Sequence, residues 1–154
     1  MKKLLKVTYF NKKIYRLIDA NLNRLKEGLR VAEDVLRFIL DDKKLTSQTK
    51  KIRHAITEYI KESSFSQGLI ILRERQITED VGKKSTSTEL KRKNIADIFL
   101  ANSQRVKESL RVLEEFFKLF DRKASMKFKK LRYRFYHIEK EAIEKITRLC
   151  DNKS

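Results

Sequence analysis

The apolar residues of this chain recur at alternating spacings of four and three. Ile18, Leu22, Leu25, Leu29, Ala32, Leu36 and Ile39 form one series. Phe99, Ser103, Val106, Leu110, Leu113, Phe117 and Phe120 form a second, with Ser103 its one polar member. Such spacings place each series on one side of an α-helix, where side chains three and four apart stack. Val31, Val35, Val112 and Phe116 widen both stripes, as packing into a globular core requires and a narrow coiled-coil seam does not. The pattern predicts helices over about 13–40, 45–63, 92–120 and 123–150. Connectors as short as Asp41–Lys44 and Asp121–Arg122 make antiparallel neighbours. Thr46 or Ser47 is expected to cap the second helix.

The two series belong to a duplication. Residues 20–33 read A-N-L-N-R-L-K-E-G-L-R-V-A-E and residues 101–114 read A-N-S-Q-R-V-K-E-S-L-R-V-L-E. Nine of the fourteen positions are identical at an offset of 81, where chance gives about one. K-K-I-R at 50–53 matches K-K-L-R at 129–132 at an offset of 79, so the connector of the second copy is two residues shorter. The repeat unit is a helical hairpin. The expected fold is one all-α domain, a helical bundle of two tandem hairpin repeats related by a pseudo-twofold axis. Repeat one covers about 13–63 and repeat two about 92–150, with a central segment and loop at 64–91. Within that centre, Gln67–Leu72 is apolar and reads as a short helix or buried segment. Thr78–Leu90 has no apolar periodicity, and a loop of that length is a candidate lid or ligand loop.

Composition removes several alternatives. Of 154 residues none is Pro or Trp and only three are Gly, too few turn-formers for a sheet protein. The periodic apolar fraction of 40% argues against disorder. A lone cysteine, Cys150, makes no internal disulfide and fits a reducing compartment. Met1–Leu5 is basic without the apolar run of a signal peptide, and no run approaches the ~18 residues of a membrane span, so a soluble, cytoplasmic chain is expected. The 38 Lys and Arg against 21 Asp and Glu give +17, which raises nucleic acid as a partner. The basic residues are spread along the whole chain with no basic tail, so a solvated, Lys-rich surface is the expectation and a nucleic-acid partner is not.

A polar stripe runs beside each apolar one: Asn21, Arg24, Glu27, Arg30 and Asp34, then Asn102, Arg105, Glu108, Arg111 and Glu115. Ion pairs on a solvated face would account for such spacing at a few tenths of a kcal/mol each. They do not account for both copies keeping the same residue types in register, since surface pairs exchange sign and length at little cost. Asn is also a mediocre helix former. The stripes are therefore expected to line a shared polar pocket at the repeat interface. Mid-helix Gly28, matched by Ser109, marks a close approach of another helix or of a ligand.

Further candidates lie outside the stripes. Arg53-His54 opens the second helix, and Arg53 recurs as Arg132; the histidine can bind phosphate or shuttle a proton. Arg75 leads into Asp80-Val81-Gly82-Lys83-Lys84-Ser85, an anion-cradling composition. It is not a P-loop, because Ile77 and Lys84 stand where that motif needs Gly and Ser/Thr. Zinc-site, metalloprotease and nucleophile-elbow patterns are missing from the sequence. Phe116, Phe117, Phe120, Tyr133, Phe135 and Tyr136 stand at helical spacing and read as core.

Four segments together resemble a known family: Arg16–Asp34, Ile52-Arg53-His54, Glu79–Gly82 and Ala101–Glu115. They are similar to the monofunctional hydroxymethylpyrimidine phosphate kinase family of bacterial thiamin biosynthesis. That small helical domain stands alone or is fused before thiamine-phosphate synthase. The resemblance covers roughly residues 14–135. It departs at Gln76, where the family carries Asp after the arginine, and at Ser109, where Ala is expected. It implies an ATP- and Mg²⁺-dependent kinase in its stand-alone form. The substrate would be 4-amino-5-hydroxymethyl-2-methylpyrimidine phosphate, the product its pyrophosphate, with thiamine-phosphate synthase a candidate partner; the sequence is also compatible with a homo-oligomer.

The residues suit that chemistry. Joining two anions needs guanidinium groups against phosphate oxygens and acids to hold Mg²⁺. Arg24, Glu27, Arg105, Glu108 and Asp80 are the expected catalytic set, with Glu27 and Glu108 toward Mg²⁺. Asn21, Arg30, Asp34, Arg53, His54, Arg75, Gly82, Lys83, Asn102, Arg111 and Glu115 are the expected substrate- and phosphate-binding set. The competing reading is a non-catalytic helical module that binds nucleic acid or docks on thiamine-phosphate synthase.

Overall fold

The computed structural model describes residues 2–62 and 91–151, with side-chain surroundings for residues 12–62 and 91–149. The described residues form α1 (Lys2–Asp34), α2 (Lys43–Glu62), α3 (Ile95–Phe117) and α4 (Arg122–Asp151), with no strand among them. The all-α expectation holds. The apolar segment at 67–72 and the candidate loop from Thr78 to Leu90 lie outside the described residues.

Packing follows the two apolar stripes. Ile18, Leu22, Leu25, Leu29, Ala32 and Leu36 of the first stripe are buried, as are Phe99, Ser103, Val106, Leu110, Leu113 and Phe117 of the second. α1 packs along α3, α3 along α4, α4 along α2 and α2 along α1. α1 and α3 run antiparallel: Gly28 meets Asn102 and Val106, while Tyr15, near the other end, stacks 6.2 Å from Phe120. α2 and α4 are also antiparallel, because Lys44 pairs with Glu141 at one end and Lys127 with Glu62 at the other. Between them Phe128 sits 5.0 Å from Phe117 and 6.4 Å from Tyr59, ring to ring.

Both stripes lose their last member. Ile39 is 45% and Phe120 36% exposed, because neither long helix continues as an α-helix that far. After Asp34 the chain widens into a π-helical turn at Val35–Ile39, closed by Leu40 N–H donating to the Val35 carbonyl at 3.1 Å. Asp41 then takes φ 50°, the left-handed conformation that Asp and Asn tolerate better than most. After Phe117 the second copy tightens instead, with Lys118, Leu119 and Phe120 each donating three residues back. A wide turn in one connector and a narrow one in the other absorb the two-residue difference in offset.

The caps fall elsewhere than expected. Asp42 Oδ1, not Thr46 or Ser47, accepts from the Leu45 N–H at 2.9 Å, and Asp121 Oδ1 accepts from Ala124 N–H at 3.0 Å in the second copy. Helix α2 begins at Lys43, so Thr46 and Ser47 already lie inside it. The Leu45 N–H and the Lys145 ammonium hold the Asp42 carboxyl below the ordinary carboxylate range. A depressed folded-state value stabilises the fold above the ordinary range, and the contribution is lost as pH falls through the folded value. Asp42→Ala should therefore cost about 1 kcal/mol at neutral pH. Chemical denaturation across pH should show that deficit shrinking in acid as the wild-type carboxylate protonates.

Gly28 is explained by helix packing. A Cβ there would stand 3.0 Å from the Asn102 carbonyl oxygen and 3.0 Å from Val106 Cγ2. The first is backbone and yields only if α3 moves. Gly28→Val should therefore cost about 1–3 kcal/mol by overpacking, measured as a lowered denaturation midpoint.

Candidate functional site

The repeated polar residues sort into two kinds. One kind is tied into a buried ionic unit that occurs once in each hairpin. Glu33 is buried on α1 and takes Arg53 of α2, Nε to Oε2 at 3.0 Å, with Arg30 of its own helix 3.7 Å away. Glu114, buried on α3, takes Arg132 of α4 through Nε at 3.0 Å and Nη2 at 2.8 Å, and Arg111 of its own helix at 2.9 Å. A nearly buried carboxylate needs such partners, since an unpaired charge there costs several kcal/mol. Arg132 also donates to the Tyr136 hydroxyl at 2.8 Å. Burial opposes its charge, but the bonds to Tyr136 and Glu114 outweigh this and raise its pKa further.

Glu33 and Glu114 were not among the expected site residues. They close the fourteen-residue repeat as its last identity, and Arg53 and Arg132 are the arginine identity of the second matched segment. The acid and the base that recur are each other's partners, which only the fold reveals.

Glu115 lies at the edge of this unit. Its hydrogen bond from Lys118, followed by Arg111 and Arg132, lowers its pKa. Asp34, at the matching position in α1, is half-buried beside the π turn, with no side-chain cap bond. Glu108 accepts from Gln104 at 2.8 Å on the exposed side of α3. It lines an open groove of about 540 Å³ with Lys107, Arg111, Arg132 and Tyr136. Lys107 there is paired with Glu139 at 2.8 Å, so the groove's cations are largely neutralised by fixed acids. Asn21 and Asn102 behave alike, each donating Nδ2 to the carbonyl four residues back, Leu17 at 2.9 Å and Ile98 at 2.8 Å.

The second kind is exposed. Arg24, Glu27 and Arg105 lie on the surface with no ion pair or hydrogen bond among the described residues. Arg105 emerges beside the α1–α3 crossing, its Cβ 3.6 Å from the Cβ position of Gly28. His54 is likewise exposed; with Arg53 it lies midway along α2 and does not open the helix as expected. Arg75, Asp80, Gly82 and Lys83 lie outside the described residues. No cluster of three or more carboxylate, His or Cys side chains forms among the described residues. Glu27 and Glu108, the carboxylates expected toward Mg²⁺, are both exposed, one on α1 and the other on α3.

The architecture defines a class: an all-α protein whose hairpins each bury a glutamate between arginines and leave a second set of arginines outside. The sequence pattern of the ThiD2 family matches residues 16–141, and the chain belongs to that family. Curated relatives include the thiamine-phosphate synthase of Synechocystis sp., 38% identical over 127 residues, which are 82% of this chain and 35% of that protein. The thiamine-phosphate synthase of Thermosynechococcus vestitus is 38% identical over 128 residues, 82% of this chain and 34% of that protein. That of Rhodopirellula baltica is 33% identical over 124 residues, 80% and 32%. The chain thus spans about a third of the length of the curated relatives it matches. No solved structure matches it. Among the described residues no helix is long and apolar enough to cross a membrane.

Proposed function

We propose that this chain transfers the γ-phosphoryl group of ATP to the phosphate of 4-amino-5-hydroxymethyl-2-methylpyrimidine phosphate. The product is the pyrophosphate from which thiamin phosphate is made. Family membership and relatives named thiamine-phosphate synthase support the pathway. The observation that carries the site is the division of the repeated arginines. Arg30, Arg53, Arg111 and Arg132 are bound to glutamates, whereas Arg24 and Arg105, equivalent in the two copies, remain exposed without a partner among the described residues.

An oxygen of the acceptor phosphate attacks the γ-phosphorus, the bond from that phosphorus to the β-bridging oxygen breaks, and ADP leaves with the electron pair. Two polyanions must approach, and the reaction needs positioning and charge more than covalent work by the protein. Arg24 and Arg105 supply planar donors that match phosphate oxygens. Glu27 and Glu108 are the carboxylates that would hold Mg²⁺, which would offset negative charge on the transferring group. The acceptor oxygen is already anionic, so no strong general base is required. The test is ADP release by purified protein with ATP and Mg²⁺. Release that depends on the pyrimidine phosphate supports the reading, and release independent of it refutes it.

The alternative, docking on thiamine-phosphate synthase without catalysis, draws on the further two-thirds of chain that the relatives carry. It predicts binding to the synthase with no turnover.

A further inference from the structure

The charge that is spread evenly along the sequence is not spread evenly over the fold. α2 and α4 together hold sixteen Lys and Arg against six Asp and Glu, a net +10 of the chain's +17. From Arg122 to His137, α4 has seven basic residues and no acid. Two of these serve the fold, Lys127 bound to Glu62 and Arg132 to Glu114. The other five, Arg122, Lys123, Lys129, Lys130 and Arg134, are exposed and unpaired among the described residues. Their spacing keeps them on one side of the helix, and Lys123 to Arg134 spans about 16 Å of its length.

Aromatic rings lie among these cations. Tyr133 and Tyr136, expected in the core, are 53% and 36% exposed. Their rings meet edge to face at 5.6 Å, and the Arg132 guanidinium lies 5.1 Å from the Tyr133 centroid. Burying such rings in the core would free α4's outer side to be purely charged and solvated; leaving them outside exposes apolar surface beside fixed positive charge.

We propose that the outward side of α4 binds single-stranded nucleic acid, with Arg122, Lys123, Lys129, Lys130 and Arg134 on the phosphates and Tyr133 as a stacking surface for a base. The pairing of a basic track with exposed rings is what a single strand requires, because its bases are available to stack. An acidic protein surface would use the lysines and leave the tyrosines without a counterpart. The track includes neither Arg24 nor Arg105, and it borders the groove of Glu108 through Arg132 and Tyr136.

The experiment is fluorescence anisotropy of a labelled 20-nucleotide uridine strand titrated with the full chain at 50 and 200 mM KCl. Release of counterions from about four phosphates predicts an affinity about 50-fold weaker at the higher salt. Lys129→Glu/Lys130→Glu/Arg134→Glu should lose at least about 30-fold at 50 mM with unchanged helicity, since none of these side chains holds the fold. Tyr133→Ala should weaken the single strand several-fold while leaving any duplex binding unaffected. No binding at 50 mM KCl, or equal binding by the triple variant, overturns the proposal. Binding to polyglutamate as tight as to the strand, with no effect of Tyr133→Ala, also overturns it and assigns the side to acidic proteins.

Discussion

Arg105→Ala should lower the rate of pyrophosphate formation by about 100-fold or more, with helicity and thermal stability near wild type. An exposed guanidinium without a partner among the described residues contributes little to folding. A charged donor that meets the transferring or accepting phosphate contributes most in the transition state, where removing one such donor typically costs about 3 kcal/mol or more. Arg24→Ala should behave in the same way, because it occupies the matching position in the other copy. Lysine at either position should restore only part of the rate, since it offers charge without the planar pair of donors. Steady-state kinetics with circular dichroism on the same samples checks all four. Near-wild-type turnover in both alanine variants would remove these arginines from the site.

The opposite outcome is expected at Glu114. Its carboxylate is almost wholly enclosed and receives Arg111 and Arg132 at 2.8–3.0 Å. Glu114→Leu strands the Arg132 guanidinium, itself only 11% exposed, against an apolar neighbour. The expected loss is about 3 kcal/mol, or a fall in Tm of roughly 6–12 °C for a chain of this size. The double variant Glu114→Leu/Arg132→Met should recover most of it, because it removes both charges and keeps the volume. Recovery in the double variant separates the cost of an uncompensated charge from the loss of packing, and calorimetry on the three proteins measures it. If Glu114→Leu alone melts with the wild type, the buried unit does not hold α3 to α4.

These predictions rest on features that differ in how far the sequence discloses them. The helices themselves were legible from Ile18 to Leu36 and from Phe99 to Phe117, because burial enforces the four-three spacing wherever two helices share a core. The reading failed at Ile39 and Phe120. There the end of the helix is set by the connector, a π turn in one copy and a tight turn in the other, and apolar spacing carries no information about hydrogen-bond register. Thr46 or Ser47 was the expected cap and Asp42 is the real one, since all three are good capping residues and only the helix start decides among them. Gly28 correctly announced a close approach, with the α3 backbone as the neighbour.

The candidate site was legible as a set of recurring residues and not as a set of partners. Sequence spacing pairs residues three or four apart, and it finds Arg111 with Glu115. It cannot find Glu33 with Arg53 or Glu114 with Arg132, twenty and eighteen residues apart. The difference between those two separations is the same two residues by which the connectors differ.

Production of the pyrimidine pyrophosphate from ATP, Mg²⁺ and the pyrimidine monophosphate by the purified chain, coupled to an independent thiamine-phosphate synthase, tests the account most directly. Thiamin phosphate should accumulate only when chain, ATP and pyrimidine monophosphate are all present, and should fall with Arg24→Ala and Arg105→Ala. Absence of product at saturating substrates, from protein of native helicity, would contradict phosphoryl transfer by this chain.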